Sequence, residues 1–401
     1  MRKKHIIIGT SAAGIGAAQK LRQLDQEAEI ICISDETEMP YNKCFIADYL
    51  AGRKTLQEVY TKKTEFFEKN NIQLLLNTIV TKIEPDKKNI VLADGSLLTY
   101  DTLFLGIGKK TPQLFKVQDE LSGVFTFHAL HSLLFLEKYI LEHKVTAVVI
   151  IGAGLSGLEC ADALQKYQLN VHLVDLNDHV LAAQSDVDGA HLLQEVMQKA
   201  SVTLHMKKTI QQILQQDGKV SGVELSDGTK LVAQMVVVAA GAQIKTQLAQ
   251  DAGIVVDEKT KAIITNEYLL TSVEGIYAGG DAILVYDQLQ KKQVPSCLWP
   301  DAMLQGVTAA HNMAGQKKSY SGAVLLVGSS FFGLQFASCG SILTIPSGYE
   351  VITKQGESFY HKYLLSENRL QGFLLIGKSF NLSLLRRAIL TQEPINTDSL
   401  P

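Results

Sequence analysis

The sequence predicts an α/β protein in which two copies of a strand–helix–strand unit precede a smaller α+β domain. Each copy starts with a short apolar strand that runs into a glycine-rich turn, and the two turns are about 140 residues apart. From about residue 320, apolar and polar residues alternate between Gly/Ser turns, and a closing helix is expected near residues 380–390. Parallel strands are expected at residues 5–9, 28–33, 147–151 and 170–174, with helices at 12–24 and 155–167.

The bulk composition is that of a globular protein with a substantial core. The chain has 401 residues, enough for two or three domains, and is 46% hydrophobic and 20% charged. A formal net charge of −3 gives no electrostatic basis for binding nucleic acid. The longest apolar stretch, residues 145–158, contains three glycines and is too short to span a bilayer.

The five cysteines are scattered along the chain and form no CxxC pair. This pattern excludes a close-spaced redox dithiol and a zinc knuckle, so no metal site is expected. A sparse and odd number of cysteines is typical of a reducing compartment, and we expect a cytoplasmic location.

The second glycine turn carries the stronger ligand signal. Gly152, Gly154 and Gly157 follow a strand and open a helix, so backbone N–H groups and the helix dipole form a seat for a pyrophosphate. Asp175 ends the next strand, where a carboxylate accepts hydrogen bonds from the adenosine ribose and repels a 2′-phosphate. Residues 176–178 supply no cation. The turn therefore predicts a Rossmann-like domain that binds NADH in preference to NADPH.

The first turn departs from that pattern because Ser11 replaces its middle glycine. Gly9 and Gly14 remain, and Asp35-Glu36 stands where a ribose-binding acid belongs. A later strand delivers a further acid, Asp281, to the start of a helix. An aspartate in that place can bind the hydroxyls of an extended dinucleotide such as FAD.

These segments, in this order, resemble the flavoproteins of the pyridine nucleotide–disulfide oxidoreductase superfamily, and the resemblance covers essentially the whole chain. It rests on residues 9–14, on the strand end at Gly241 and on residues 272–281. The segment Pro40-Tyr41-Asn42-Lys43 is similar to one in NADH-dependent rubredoxin and ferredoxin reductases and in the flavin domain of nitrite reductases.

The resemblance implies FAD and NADH as cofactors and three domains. The FAD domain is expected at residues 1–113 and 242–318, the inserted NADH domain at 114–241, and an α+β domain at 319–401. In such relatives, Glu36 would contact the FAD ribose and Asp281 the ribityl-phosphate region. The expected cofactor-binding residues are Gly9, Ser11, Ala12, Ala13, Gly14, Asp35, Glu36, Lys43, Gly108, Gly152, Gly154, Gly157, Asp175, Gly241, Gly280, Asp281 and Trp299.

Three residues are candidates for a catalytic role. By the resemblance, Lys43 lies beside the flavin ring and Glu159 near the nicotinamide, although Glu159 also fits a helix-start acid favoured by the dipole. Cys44 matches the single redox cysteine of NADH oxidases, NADH peroxidases and coenzyme A-disulfide reductases. It fits a small buried apolar residue as well, and we expect that alternative. Trp299 would approach the flavin, or else serve as a core aromatic.

These observations predict an FAD-dependent NADH oxidoreductase. Hydride would pass from NADH to FAD and electrons then to a small redox protein, such as rubredoxin or ferredoxin, or to another acceptor. One alternative is an NADH oxidase, peroxidase or disulfide reductase that works through Cys44. Another is a flavoprotein that binds NADH as a redox sensor. A homodimer is expected, without a nucleic-acid partner or a membrane span.

Overall fold

The computed structural model describes residues 2–112, 121–397 and 400. In that part of the chain the strands are β1 (Lys4–Ile8), β2 (Glu29–Ile33), β3 (Ile72–Leu75), β4 (Val80–Glu84), β5 (Asn89–Leu92), β6 (Leu97–Thr99), β7 (Thr102–Leu105), β8 (Lys109–Lys110), β9 (Val124–Thr126), β10 (Ala147–Ile151), β11 (Asn170–Asp175), β12 (Val202–Met206), β13 (Ile210–Gln216), β14 (Lys219–Leu225), β15 (Lys230–Val232), β16 (Met235–Val238), β17 (Gln243–Ile244), β18 (Ile276–Ala278), β19 (Leu284–Asp287), β20 (Lys292–Pro295), β21 (Leu326–Phe331), β22 (Leu334–Cys339), β23 (Glu350–Gly356), β24 (Phe359–Ser366) and β25 (Arg369–Gly377).

The α-helices of the same residues lie between these strands and after the last of them. They are α1 (Ala12–Leu24), α2 (Ile46–Leu50), α3 (Leu56–Val59), α4 (Thr64–Lys69), α5 (Leu130–His143), α6 (Leu155–Leu164), α7 (Val187–Lys199), α8 (Gln247–Asp251), α9 (Trp299–Met313) and α10 (Leu382–Thr391). The strand and helix positions expected around both glycine turns are confirmed to within about three residues, the usual uncertainty of helix ends.

The chain divides into two compact units. The first comprises the described residues of Met1–Ile46, Thr55–Lys110 and Ala242–Ala323, and the second those of Ala47–Lys54, Thr111–Gly241 and Val324–Pro401. The three domains expected from the sequence, with boundaries at 113, 241 and 318, stay a prediction, and residue 113 lies outside the described residues.

The core of the first unit is a parallel sheet with the strand order β18-β7-β1-β2-β3. Ile6 and Phe104, on its central strands, are fully buried. Helix α1 packs so closely on α9 that a side chain at Gly306 would overlap the backbone carbonyl of Ala13. All five strands run in the same direction, so their carboxyl ends meet at one edge, where α1 also begins.

Arg22 ties the end of α1 to the neighbouring strands. This buried side chain donates hydrogen bonds of 2.7–3.0 Å to five backbone carbonyls. The acceptors belong to residues 25, 26 and 28, which precede β2, and to residues 70 and 71, which precede β3. Arginine suits this place because its guanidinium offers five N–H donors in a fixed plane.

The second unit repeats the sheet. Its parallel strands have the order β12-β11-β10-β16-β9, so each unit places the strand that leads into its glycine turn, β1 or β10, centrally, with the next two strands on one side. Val148 to Ile150 are fully buried, as expected for a strand that is covered on both faces. The internal repeat predicted from the two glycine turns is confirmed at the level of sheet topology.

The C-terminal segment forms an antiparallel sheet, ordered β21-β22-β25-β24-β23, with helix α10. Polar contacts join this sheet to the parallel-sheet part of the second unit. The carboxylate of Asp186, at the start of α7, accepts hydrogen bonds from the Tyr360 hydroxyl (2.9 Å) and the Lys362 ammonium (2.8 Å), both on β24.

Residues 47–54 belong to the second unit because their polar side chains bind α5 and α6. Arg53 bridges Asp48 (2.7 Å) and Asp162 on α6 (2.9 Å). The Tyr49 hydroxyl donates to Glu137 on α5 at 2.7 Å. This short segment therefore lies along the same helix, α6, that the second glycine turn opens.

Candidate functional site

The first glycine turn brings the start of α1 against the end of β1. Gly9 has a φ of +103°, which favours glycine, and a side chain there would overlap the carbonyl of Gly106 at the end of β7. A side chain at Gly14 would overlap the carbonyl of Gly9. The turn can close only because both positions lack a Cβ.

Ser11 stands at the N-cap of α1, but its side chain makes no capping hydrogen bond. The first backbone N–H groups of a helix have no acceptor within the helix, so Ala12 and Ala13 keep donors at this end. With the helix dipole, these donors suit an anion. The replacement of the middle glycine by Ser11 therefore leaves the seat for a phosphate in place.

The two acids after β2 are each paired with a lysine of the same unit. Asp35 binds Lys245 at 2.9 Å, and Glu36 lies 3.6 Å from the ammonium of Lys43. The structure thus brings together Glu36 and Lys43, two of the residues that the sequence singled out. Glu36 is partly buried and Asp35 is half exposed, so Glu36 is the more enclosed of the two acids.

Asp281 lies at the carboxyl edge of the same sheet, in a short turn after β18. Gly280, just before it, donates its backbone N–H to Gln305 on α9 at 2.6 Å. Burial raises the pKa of Asp281, whereas the charges of Lys109 and Lys43 act in the opposite direction. The ammonium of Lys109 lies 2.6 Å from the sulfur of Cys297, whose side chain is exposed. Gln305 belongs to the segment at residues 299–306 that resembles a helix start near the flavin in the relatives, whereas Lys109 and Cys297 were not placed at this site by sequence reasoning.

Two further predicted residues of this unit lie near the same helix and strand ends. Trp299 is the first residue of α9 and is partly buried, and Pro300 follows it in the first helical turn, where proline is favoured. Gly108 has a φ of +62° and open space where a Cβ would lie.

The expectation that Cys44 is a buried apolar residue is wrong. Its side chain is exposed, and its backbone N–H binds the side chain of Asn42 at 3.0 Å in a short 3₁₀ turn. The turn directs Ile46 and Ala47 to the interior instead. An apolar segment of this length buries only the residues on one face of its helix, and Cys44 falls outside that face.

The second glycine turn has the same construction as the first. Gly152 has a φ of +108°, and a side chain at Gly157 would overlap its carbonyl. Gly154, at the N-cap of α6, has ordinary backbone angles and nothing within 4 Å of the place where a Cβ would lie. Gly157 is therefore required by the fold, whereas the lack of a side chain at Gly154 leaves space for a ligand.

Asp175 is bound by the turn that it faces. One carboxylate oxygen accepts the backbone N–H of Ala153 at 2.6 Å, and the other accepts the backbone and side-chain N–H groups of Asn177 at 2.8 Å. The carboxylate is consequently oriented before any ligand arrives.

A cavity of about 510 Å³ opens beside these residues. Its lining includes the predicted residues Gly152, Gly154, Asp175 and Gly241. Sequence reasoning missed the remaining polar lining residues, which come from the segments after β11 and β12 and are Asn177, His179, Gln184, Lys208 and Thr209. The parallel pairing of β11 with β12 is the signal that could have found Lys208, because neighbouring strands end at one edge.

Glu159 lies one turn into α6 and is largely buried. Its carboxylate accepts a hydrogen bond of 2.7 Å from the Ser329 hydroxyl on β21. Burial raises the pKa of Glu159, and the negative charges of Asp48 and Asp162 act in the same direction. This environment favours the protonated carboxyl more than the surface of a helix would.

A family model for pyridine nucleotide-disulphide oxidoreductases matches residues 3–314. The chain belongs to this family. Its members are NAD(P)H-dependent oxidoreductases that bind FAD and use NADH. The resemblance seen in the sequence is therefore confirmed.

Similar proteins of this family differ in what they reduce. The chain is 26% identical over 382 residues to an NAD(P)H nitrite reductase of Bacillus subtilis, covering 94% of this chain and 46% of that protein. It is 30% identical over 322 residues to an NADH oxidase of Methanocaldococcus jannaschii, covering 79% of this chain and 71% of that protein. The chain thus spans about half the length of the nitrite reductase.

The fold is also that of solved flavoprotein structures. The crystal structure of NADH:rubredoxin oxidoreductase from Clostridium acetobutylicum superposes with a TM-score of 0.79, covering 100% of this chain and 98% of that one at 24% identity. At this identity the likeness concerns the fold. In the present chain, every helix among the described residues is too short or too polar to cross a membrane.

Two alanine substitutions separate the structural glycine from the ligand-facing one. Gly157→Ala forces a Cβ into the Gly152 carbonyl, so it should lower the free energy of unfolding by about 3 kcal/mol. Gly154→Ala meets no atom in the protein and should cost less than about 1 kcal/mol. It should nevertheless weaken NADH binding on the order of tenfold, because the methyl group occupies the space that the pyrophosphate needs.

Thermal unfolding followed by circular dichroism and calorimetric titration with NADH measure the two effects on the same samples. Wild-type affinity for NADH in the Gly154→Ala variant would show that the pyrophosphate does not approach this turn.

Proposed function

We propose that this protein is an FAD-dependent NADH oxidoreductase that passes electrons from its flavin to a small redox protein. The observation that carries the proposal is the second glycine turn, where the open space at Gly154, the oriented carboxylate of Asp175 and the 510 Å³ cavity occur together. A cavity of that size suits the adenosine half of a dinucleotide.

In the second unit, we assign the backbone N–H groups at Gly154–Gly157, where α6 begins, to the NADH pyrophosphate. Asp175 would accept hydrogen bonds from the adenosine ribose hydroxyls, with its orientation set by Ala153 and Asn177. Glu159, held by Ser329, would act near the nicotinamide, where burial raises the pKa of its carboxyl group.

In the first unit, the residues fit FAD. The turn at Gly9, Ser11 and Gly14 would hold its pyrophosphate, since its two glycines lack side chains and the side chain of Ser11 does not cap the first N–H groups of α1. Asp281, placed at the same sheet edge by Gly280 and Gln305, would bind hydroxyl groups of the ribityl chain. Glu36 would bind the ribose, with Lys43 as its charge partner. When bound, FAD accepts hydride from NADH and releases electrons to acceptors.

We propose a small electron carrier as the acceptor, because the sequence contains no close-spaced dithiol through which electrons would pass to a disulfide. The diversity of the relatives supports an acceptor that meets the flavin directly, since nitrite reductase and NADH oxidase share this fold with different acceptors. A cytoplasmic homodimer belongs to the same proposal.

Anaerobic stopped-flow reduction tests the proposed donor. NADH should bleach the flavin absorbance of the purified protein on the order of tenfold faster than NADPH at equal concentration, because Asp175 repels a 2′-phosphate. Multiple turnovers with a dye acceptor should follow, which a slowly reacting redox sensor would not give. A protein that binds no flavin, even after reconstitution, contradicts the proposal.

Because Cys44 is exposed, replacing it should leave the fold intact, so its substitution tests the alternative in which Cys44 is the redox thiol. If electrons pass from the flavin directly to the acceptor, Cys44→Ser changes only an exposed side chain. NADH-dependent dye reduction should then stay within about twofold of wild type. Peroxide and disulfide reduction are assayed beside it. If those two activities are substantial in the wild type and collapse in the variant while dye reduction survives, the protein works through Cys44.

A further inference from the structure

Two lysines lie beside the carboxylate that is assigned to the adenosine ribose. Strands β11 and β12 are parallel neighbours, with Asp175 opposite Met206. Just beyond, Lys208 donates its backbone N–H to the carbonyl of Asp175 at 3.0 Å, and Lys207 donates to Asn177 at 2.9 Å. The residues directly after Asp175 include no lysine or arginine. The segment that follows the neighbouring strand, β12, places two lysines next to Asp175 and Asn177 instead.

Of the described residues that line the cavity, Lys208 is the one with a lysine or arginine side chain. A lysine next to the acid at the end of the second strand is the group that a 2′-phosphate on the adenosine would need. By this criterion alone, the cavity has the means to accept NADPH.

The ammonium of Lys208 is held by a different residue. It lies 2.6 Å from the carboxylate of Asp227, in the Asp227-Gly228 turn between β14 and β15. The other oxygen of Asp227 accepts the backbone N–H of Thr229 at 3.1 Å, which orients the carboxylate within the turn. Lys207 likewise lies 3.9 Å from Asp178. Each cation at this corner is thus paired with an acid.

We propose that Asp227 is a specificity-determining residue that makes the dinucleotide site reject a 2′-phosphate. It holds the Lys208 ammonium in an ion pair, so that the positive charge of this lysine is not offered to a phosphate in the cavity. The inference rests on the proposed function, which assigns this cavity to the adenosine half of NADH. Because both side chains are partly exposed, the expected effect is modest, about three- to tenfold in relative affinity.

The test uses two small probes, 5′-AMP and adenosine 2′,5′-bisphosphate, with the full-length protein in calorimetric titrations. Wild type should bind 5′-AMP more tightly. Asp227→Asn keeps an oxygen acceptor for the Thr229 N–H but removes the charge that holds Lys208. The affinity ratio should then shift toward the bisphosphate by about three- to tenfold. Adding Lys208→Gln to that variant should restore the wild-type ratio.

Asp217→Asn is the matched control. Asp217 lies in the Asp217-Gly218 turn at the opposite end of the β13–β14 hairpin, and the Lys208 ammonium pairs with Asp227 instead. An equal shift in this control, or an unchanged ratio in Asp227→Asn, overturns the inference, as does a shift that survives Lys208→Gln. If 5′-AMP itself fails to bind the wild type, the assignment of the cavity to a dinucleotide is wrong, and the inference fails with it.

Discussion

The close approach of a helix start to a strand end, at Gly14 and Gly157, is the constraint on which both candidate sites depend. In each turn a Cβ would overlap the carbonyl of the glycine that ends the strand, Gly9 or Gly152. A side chain at either glycine would push the helix away from the sheet. The first N–H groups of the helix would then no longer face the space beside the strand ends.

The acids at those strand ends are oriented by the fold. Asp175 is bound by Ala153 of the second turn, whereas Glu36 and Asp35 are paired with lysines. A carboxylate that is already oriented loses less freedom when a ribose binds, so part of the cost of recognition is met during folding. The two turns therefore share a backbone construction but differ in how their acids are held.

The sequence was sufficient for the parts of the molecule that depend on local pattern. The two turns, the strands that frame them, and Asp175 follow from glycine spacing and apolar runs, because these record backbone geometry directly. Side chains that arrive from distant segments were not predictable in this way. Lys208 reaches the cavity through strand pairing, and Ser329 reaches Glu159 from the C-terminal sheet. The exposure of Cys44 depends on a three-residue turn that periodicity does not resolve.

Hydrogen–deuterium exchange at the two turns tests most directly whether each one binds its own dinucleotide. FAD added to the flavin-free protein should slow amide exchange at residues 9–14 and leave residues 152–157 unchanged. NAD⁺ added to the flavin-loaded protein should slow exchange at residues 152–157 alone. Protection of the first turn by NAD⁺, or of neither turn by either ligand, would contradict the assignment of the two turns to two cofactors.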